Sequence, residues 1–120
     1  MMHSTIFDYS GSLRRMGNDP QLFDEMVGFL REDSPRWLAQ LHRAMERSDW
    51  AAVRHAAHTL RGQVSNFGAQ RAIQAAGAIE QAARAGRVSE LADAVQELDE
   101  AFEELLAAVG DREHTAPRPR

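Results

Sequence analysis

The residues of this chain that could carry out chemistry lie together around His58. Arg61 follows this histidine three residues later, and Gly62 follows it four residues later. Positions three and four apart are neighbours on a helix surface, so all three share one face. A glycine in a helix interior costs about 1 kcal/mol relative to alanine. Its place beside an imidazole therefore predicts that a large partner approaches the ring closely.

An accessible imidazole beside a cation suits one chemistry, the acceptance and donation of a phosphoryl group. A neutral imidazole nitrogen is a nucleophile, and histidine is largely uncharged near pH 7. Phosphoryl transfer mainly needs in-line positioning and charge stabilisation. Arg61 could supply the charge one turn away from His58, and the missing side chain of Gly62 would leave room for the partner.

Other kinds of site fit these residues less well. His55 and His58 could share a cation, but zinc takes three or four ligands and no nearby carboxylate completes the set. Ser65 is too far from His58 along the helix for a nucleophile and base pair, and nothing supplies an oxyanion hole. No glycine-rich loop follows a strand, as a nucleotide cradle would require. We therefore expect no bound metal and no autonomous enzyme.

The composition limits the class of protein. The 120 residues, 43% of them hydrophobic and 27% charged, allow one globular domain with a real core. A net charge of −4 argues against a nucleic-acid-binding protein, and the lack of cysteine excludes disulfides and thiol chemistry. No apolar run reaches the roughly 18 residues of a membrane span, and no signal peptide is evident. We expect a cytoplasmic monomer that does not insert into membranes.

Hydrophobic periodicity predicts helices throughout the chain. Apolar residues recur every three or four positions, and no segment alternates as a strand would. The predicted helices are residues 12–16, a long helix capped by Asp19 and kinked or broken near Pro35, a helix capped by Asp49, residues 69–85, and a last helix from about Ser89 to Val109. We predict an all-α fold, an up-down antiparallel four-helix bundle with a short additional N-terminal helix. The bundle takes residues 1–111, and residues 112–120 form a flexible C-terminal tail.

The helix after Asp49 carries both a core stripe and the candidate site. Its apolar positions are Trp50, Val53, Ala57, Leu60, Val64 and Phe67, and Gly68 is placed to end it as a left-handed C-cap. His58 follows Ala57 by about 100° around the helix, so it lies beside the core stripe. The residues that we predict to contact a docking partner share its polar face: Arg54, His55, Gly62 and Ser65.

Residues 58–69, HTLRGQVSNFGA, resemble the signature of histidine-containing phosphotransfer (HPt) domains, which is His-x-x-Lys-Gly with a second glycine six positions later. The similarity covers about residues 8–109 and includes Gly17-Asn18-Asp19, Phe29-Leu30, Ala56-Ala57 and Ile79-Glu80. One functional position departs from the pattern, because Arg61 stands where the family usually has lysine. A planar guanidinium fork replaces a compact ammonium there.

The resemblance implies a phosphocarrier in a two-component His-Asp phosphorelay. His58 would accept a phosphoryl group at Nε2 from a receiver-domain aspartate and pass it to another receiver, with Arg61 stabilising the phosphate and Gly62 as the clearance position. The partners would be response-regulator receiver domains or a hybrid sensor histidine kinase. Magnesium would belong to the receiver, so no cofactor is expected on this chain.

Several alternatives remain open at the level of sequence. Either Glu80 or Gln81 could orient the imidazole by a hydrogen bond, or both could face solvent. The chain could be free-standing or a piece of a hybrid kinase, and it could take phosphate from an ATP-binding domain, as a chemotaxis-kinase module does. It could also be an HPt-shaped adaptor without phosphotransfer, although a pure adaptor needs neither His58 nor Gly62.

Overall fold

A computed structural model describes residues 6–115 of the chain, which are helical and contain no strand. The elements in order are α1 (Tyr9–Arg15), α2 (Pro20–Glu46), α3 (Trp50–Ser65), α4 (Gln70–Ala85), a 3-10 turn (Val88–Glu90) and α5 (Leu91–Thr115). Short connections reverse the chain after each long helix, so α3 packs against both α2 and α4. The predicted all-α bundle with a short N-terminal helix is confirmed.

Aspartates begin the first three helices. Asp8, Asp19 and Asp49 are the N-caps of α1, α2 and α3, and each carboxylate accepts a hydrogen bond from the backbone of the first turn. Asp19 and Asp49 have the predicted role. The prediction missed Asp8, so α1 begins at Tyr9 and not at residue 12. Of the two alternatives for the long helix, the continuous one is observed, with Pro35 inside α2.

The C-terminal helix is longer than the composition indicated. It continues to Thr115, beyond the boundary at residue 111 where the sequence led us to begin the tail. The remainder of that predicted tail, residues 116–120, lies outside the described residues. Within residues 6–115, no helix is both long enough and apolar enough to cross a membrane.

The core is formed by one face of each long helix. The stripe predicted for α3 is buried from Val53 to Phe67, whereas Trp50 is only half-buried. The buried residues of α4 are mostly small: Ala72, Ala75, Ala76, Ile79, Glu80 and Ala82. Alanines bring the backbones of α3 and α4 close together. Glu80 is the only buried charged residue in the part of the chain whose burial is described, and it faces α3.

An arginine ties α4 to α5 on the outside of the bundle. Arg71 donates hydrogen bonds to Glu97 and Glu100 and lies 3.5 Å from Glu104. Its hydrogen bond to Glu97 holds the pKa of that carboxyl below its usual value. Exposed ion pairs each contribute little to stability, but three carboxylates around one guanidinium fix the side of α4 that faces α5. The acidic face of α5 is therefore partly paired.

The turn between α3 and α4 ends in a left-handed glycine, as predicted. Gly68 has φ +60°, which glycine adopts without the cost that a Cβ imposes. Its N–H donates to the carbonyl of Ser65, and the N–H of Ala69 lies 3.5 Å from the carbonyl of Val64. This is the hydrogen-bond pattern of a Schellman motif, which satisfies carbonyls at the end of a helix.

The same turn is where the N-terminal segment attaches to the bundle. The N–H of Asp8 donates to the carbonyl of Phe67 at 2.8 Å, and Arg15 Nε donates to the carbonyl of Asn66 at 3.2 Å. A Cβ added at Gly68 would lie 2.9 Å from the Cβ of Asp8. Gly68 is therefore required by close approach as well as by its backbone conformation.

We expect Gly68→Ala to lower the free energy of unfolding by about 2–4 kcal/mol, since left-handed backbone alone costs alanine about 1–2 kcal/mol and Asp8 must also move. Gly86→Ala is the matched control, because Gly86 has φ +74° but open space around its Cα. Urea denaturation of both variants measures the difference. Equal losses would show that the contact with Asp8 contributes nothing.

Candidate functional site

His58 lies in the middle of α3, beside the interface with α4. Its side chain is 66% exposed, although Ala57, the residue before it, is fully buried. Its ring nitrogen Nδ1 lies 3.1 Å from Oε1 of Glu80 on α4. Within residues 6–115, Nε2 has no hydrogen-bond partner. One edge of the ring is therefore held by the bundle and the other is left to solvent.

Glu80 joins His58 to Arg61. Its side chain is only 9% exposed, and its second oxygen, Oε2, lies 2.7 Å from Nε of Arg61. The Nε–H bond does not point along this line, so the contact is an ion pair without an aligned hydrogen bond. A buried carboxylate is costly unless it is paired, and the guanidinium provides that pairing. Of the two residues considered for orienting the imidazole, Glu80 reaches the ring, and Gln81 is exposed.

The contacts of Nδ1 determine which ring nitrogen carries the proton. An ionised carboxylate only accepts hydrogen bonds, and a guanidinium only donates them. Nδ1 lies 3.1 Å from Glu80 and 3.4 Å from Nη2 of Arg61, and it cannot donate to one and accept from the other in the same tautomer. The shorter contact, to the charged acceptor, places the proton on Nδ1. Nε2 then keeps its lone pair on the exposed edge of the ring.

Arg61 already has partners within the chain. Its contacts are with the Glu80 carboxylate and with the Nδ1 edge of His58. Its charge is therefore compensated by Glu80, although N–H donors remain that these contacts do not use.

The four residues predicted to contact a partner lie around His58 on the outside of α3. Arg54 and His55 line a cleft of about 220 Å³ with His58. The ring of Trp37 on α2 meets the His55 ring edge-on, with the two ring centroids 5.5 Å apart. Ser65 is exposed, but its hydroxyl donates to the carbonyl of Arg61. Gly62 is exposed, and a Cβ added there would meet nothing within 4 Å. No contact among residues 6–115 requires a glycine at this position.

Sequence reasoning missed Arg84, which lines the cleft from the α4 side. Arg84 follows Glu80 by one helical turn and so shares its face, a spacing that could have pointed to it once Glu80 was placed beside His58. The contact of Trp37 with His55 depends on the alignment of α2 with α3. Among the described residues, no three His, Asp or Glu side chains are arranged to hold a metal ion.

The fold and the site together define a class, a helical bundle with an exposed histidine whose ring is held by a buried carboxylate on the neighbouring helix. A family model, the Hpt domain, matches residues 25–108. The chain belongs to the Hpt domain family, whose members act as phosphocarriers in histidine phosphotransfer and interact with receiver domains and hybrid kinases. The resemblance recognised in residues 58–69 is thereby confirmed at the level of the family.

Solved structures have the same fold. The chain is similar to histidine-containing phosphotransfer protein B (HptB) from Pseudomonas aeruginosa PAO1, with a TM-score of 0.86 and 20% identity over 96% of this chain and 100% of that one. It is also similar to the HPT domain of an Hpt sensor hybrid histidine kinase from Shewanella, with a TM-score of 0.81 and 19% identity over 94% of this chain and 97% of that one. No curated protein matches the sequence significantly.

Replacing Gly62 separates stability from partner access. We expect Gly62→Ala to raise the free energy of unfolding by about 0.5–1 kcal/mol, because alanine favours the helix and nothing in the chain obstructs its Cβ. The same change should slow phosphoryl exchange with a receiver, because the methyl group occupies the space beside His58.

Gly28→Ala in α2 is the control, since a Cβ at Gly28 also meets nothing within 4 Å and Gly28 lies outside the cleft. It should bring a similar gain in stability, measured by urea denaturation, and leave phosphoryl exchange unchanged. An unaltered exchange rate in Gly62→Ala would contradict the clearance role.

Proposed function

We propose that this chain accepts a phosphoryl group on Nε2 of His58 from the aspartate of one receiver domain and donates it to the aspartate of another. The observation that carries the proposal is the contact between Nδ1 of the exposed His58 and the buried carboxylate of Glu80. It holds the ring in one orientation and directs the unprotonated nitrogen outward. A mobile surface imidazole would have to be ordered before each transfer.

The transfer step follows from this geometry. The lone pair of Nε2 attacks the phosphorus of the aspartyl phosphate, the phosphorus–oxygen bond breaks, and the aspartate leaves as a carboxylate. The Nδ1 proton stays in the hydrogen bond to Glu80, so the positive charge that develops on the ring lies next to a negative one. Donation to the second receiver is the reverse of this step.

Arg61 has two functions in the proposal. Its Nε neutralises Glu80, and its remaining N–H groups are available to the phosphoryl oxygens as charge-assisted donors. Gly62, Arg54, His55 and Ser65 form the surrounding surface on which the receiver docks. In this proposal the receiver supplies the magnesium ion, and this chain binds no cofactor of its own. We expect the chain to be a monomer and to act in the cytoplasm.

The test is transfer of label from a phosphorylated receiver in the presence of magnesium. Phosphohistidine is labile in acid and stable in alkali, which distinguishes it from aspartyl phosphate and from phosphoserine. We expect wild type and His55→Gln to take up label and His58→Gln to take up none. His55 is the matched control because it lines the same cleft and lacks a carboxylate partner.

Label that persists in His58→Gln would contradict the assignment of His58. A wild-type chain that binds a receiver but takes no label from receivers or from a kinase domain would be an adaptor.

The role of Glu80 is tested by Glu80→Gln, which keeps the shape and removes the charge. We expect transfer to slow by about threefold to tenfold, because the glutamine oxygen can still accept a hydrogen bond from Nδ1 and only the charge of the carboxylate is lost. Stability should change by less than about 1 kcal/mol, because a buried charge and its pairing are lost together. Long-range ¹H–¹⁵N correlation spectra should show Nδ1 protonated in the neutral ring of wild type and less so in the variant. An unchanged tautomer and an unchanged rate would exclude this role.

A further inference from the structure

The cleft beside His58 contains two arginines that the Glu80 ion pair does not use. Arg54 enters it from α3 and Arg84 from α4. Both side chains are exposed, and neither forms a hydrogen bond or an ion pair with any residue in the described part of the chain. Arg71 and Arg87, by contrast, are paired with glutamates. The two cations in the cleft therefore have no partner within the bundle.

The spacing of these arginines follows from the pairing of the helices. Arg54 precedes His58 by four residues on α3, and Arg84 follows Glu80 by four residues on α4. Neighbouring helices of the bundle run in opposite directions, so the contact that brings His58 to Glu80 brings Arg54 and Arg84 to the same level of the bundle. Each lies one turn from a residue of the site and on the same side of it.

The positive charges of Arg54 and Arg84 could balance a phosphoryl group on His58. A phosphoryl group carries about −1.5 to −2 at pH 7, and on His58 it would stand next to the carboxylate of Glu80. Arg61 offsets Glu80, with Nε and Oε2 only 2.7 Å apart, so that pair contributes little net charge. Two further guanidinium groups would match a doubly charged phosphoryl group. The cleft, of about 220 Å³, is many times the roughly 10–15 Å³ that one water molecule requires on the same measure, so it has room for phosphate oxygens.

We propose that Arg54 and Arg84 bind the phosphoryl oxygens once His58 is phosphorylated, one from each side of the cleft. The inference rests on the proposed function, since it concerns the phosphorylated form. Guanidinium groups bind phosphate oxygens through two parallel N–H donors, a geometry that the compact ammonium of lysine lacks. The phosphoryl group thus links α3 to α4 on the open side of the ring, opposite the link through Glu80.

The test uses the whole phosphorylated chain and no receiver. Phosphoramidate is the donor: its phosphorus–nitrogen bond breaks, ammonia leaves, and the bond between phosphorus and Nε2 forms. A ³¹P NMR titration then follows the last ionisation of the phosphoryl group. We expect its pKa to rise by about half a unit to one unit in Arg84→Gln and in Arg54→Gln, because neighbouring cations favour the dianion. The double variant should shift further than either single one.

Arg14→Gln is the control for a general change of charge. Arg14 is exposed on α1, which packs on the turn at Gly68. That turn lies about 15 Å from His58, since a helix rises about 1.5 Å per residue. Its substitution should leave the titration unchanged. Far-UV circular dichroism and urea denaturation verify that the substitutions at these exposed positions have not altered the fold.

The outcomes distinguish the inference from the function on which it rests. An unchanged phosphoryl titration in the double variant overturns the inference. This includes the case in which receiver-dependent transfer slows, since the arginines would then contact the receiver and not the phosphoryl group. Failure of the proposed function appears separately, as a wild-type chain that takes no label at His58 from any phosphorylated receiver.

Discussion

The buried carboxylate of Glu80 is the interaction on which the organisation of the site depends. A charged group in the interface between two helices costs several kcal/mol of desolvation, and here it is offset by Arg61 on one oxygen while the other oxygen contacts His58. Each partner lies on α3 and Glu80 lies on α4. The site therefore exists only when these helices are packed in one register, and the small residues of α4 allow that close packing. The orientation of the His58 ring, its tautomer and the neutralisation of the Arg61 charge all follow from the position of Glu80.

Gly62 and Gly68, the two glycines of the motif, are explained by opposite physical circumstances. Gly62 has open space around it, and under the proposed function that space admits the receiver beside His58. Gly68 is crowded by Asp8 and Arg15 and has a left-handed backbone, so its benefit lies inside the fold. It fixes the turn that sets α4 against α3 and anchors the N-terminal helix there. If the proposed function holds, a pattern that contains both glycines combines a docking requirement with a folding requirement in one short segment.

The sequence predicts those features that depend on one helix at a time. Asp19 and Asp49 could be assigned as caps because a capping side chain acts within its own first turn, and the buried stripe of α3 could be assigned from its period. The pairing of Glu80 with His58 could not be decided against Gln81, because it depends on the register between α3 and α4. Arg84 was missed for the same reason. The start of α1 was misplaced although Asp8 caps it locally, through the N–H of Gly11. The backbone of Asp8 is held by the carbonyl of Phe67, a residue much later in the chain that the sequence alone does not place beside it.

The arginine that replaces the usual lysine at position 61 is explained by the carboxylate that it meets. A lysine ends in one nitrogen, which would have to stay near Glu80 or turn toward a phosphoryl group on His58. The guanidinium of Arg61 places Nε 2.7 Å from Oε2 of Glu80 and still has N–H groups on its other nitrogens. With an acidic residue at position 80, one arginine can neutralise the buried charge and also serve the phosphate through separate nitrogens, whereas the single nitrogen of a lysine would have to lie within reach of both. The departure from the family pattern is therefore consistent with the residue found opposite it on α4.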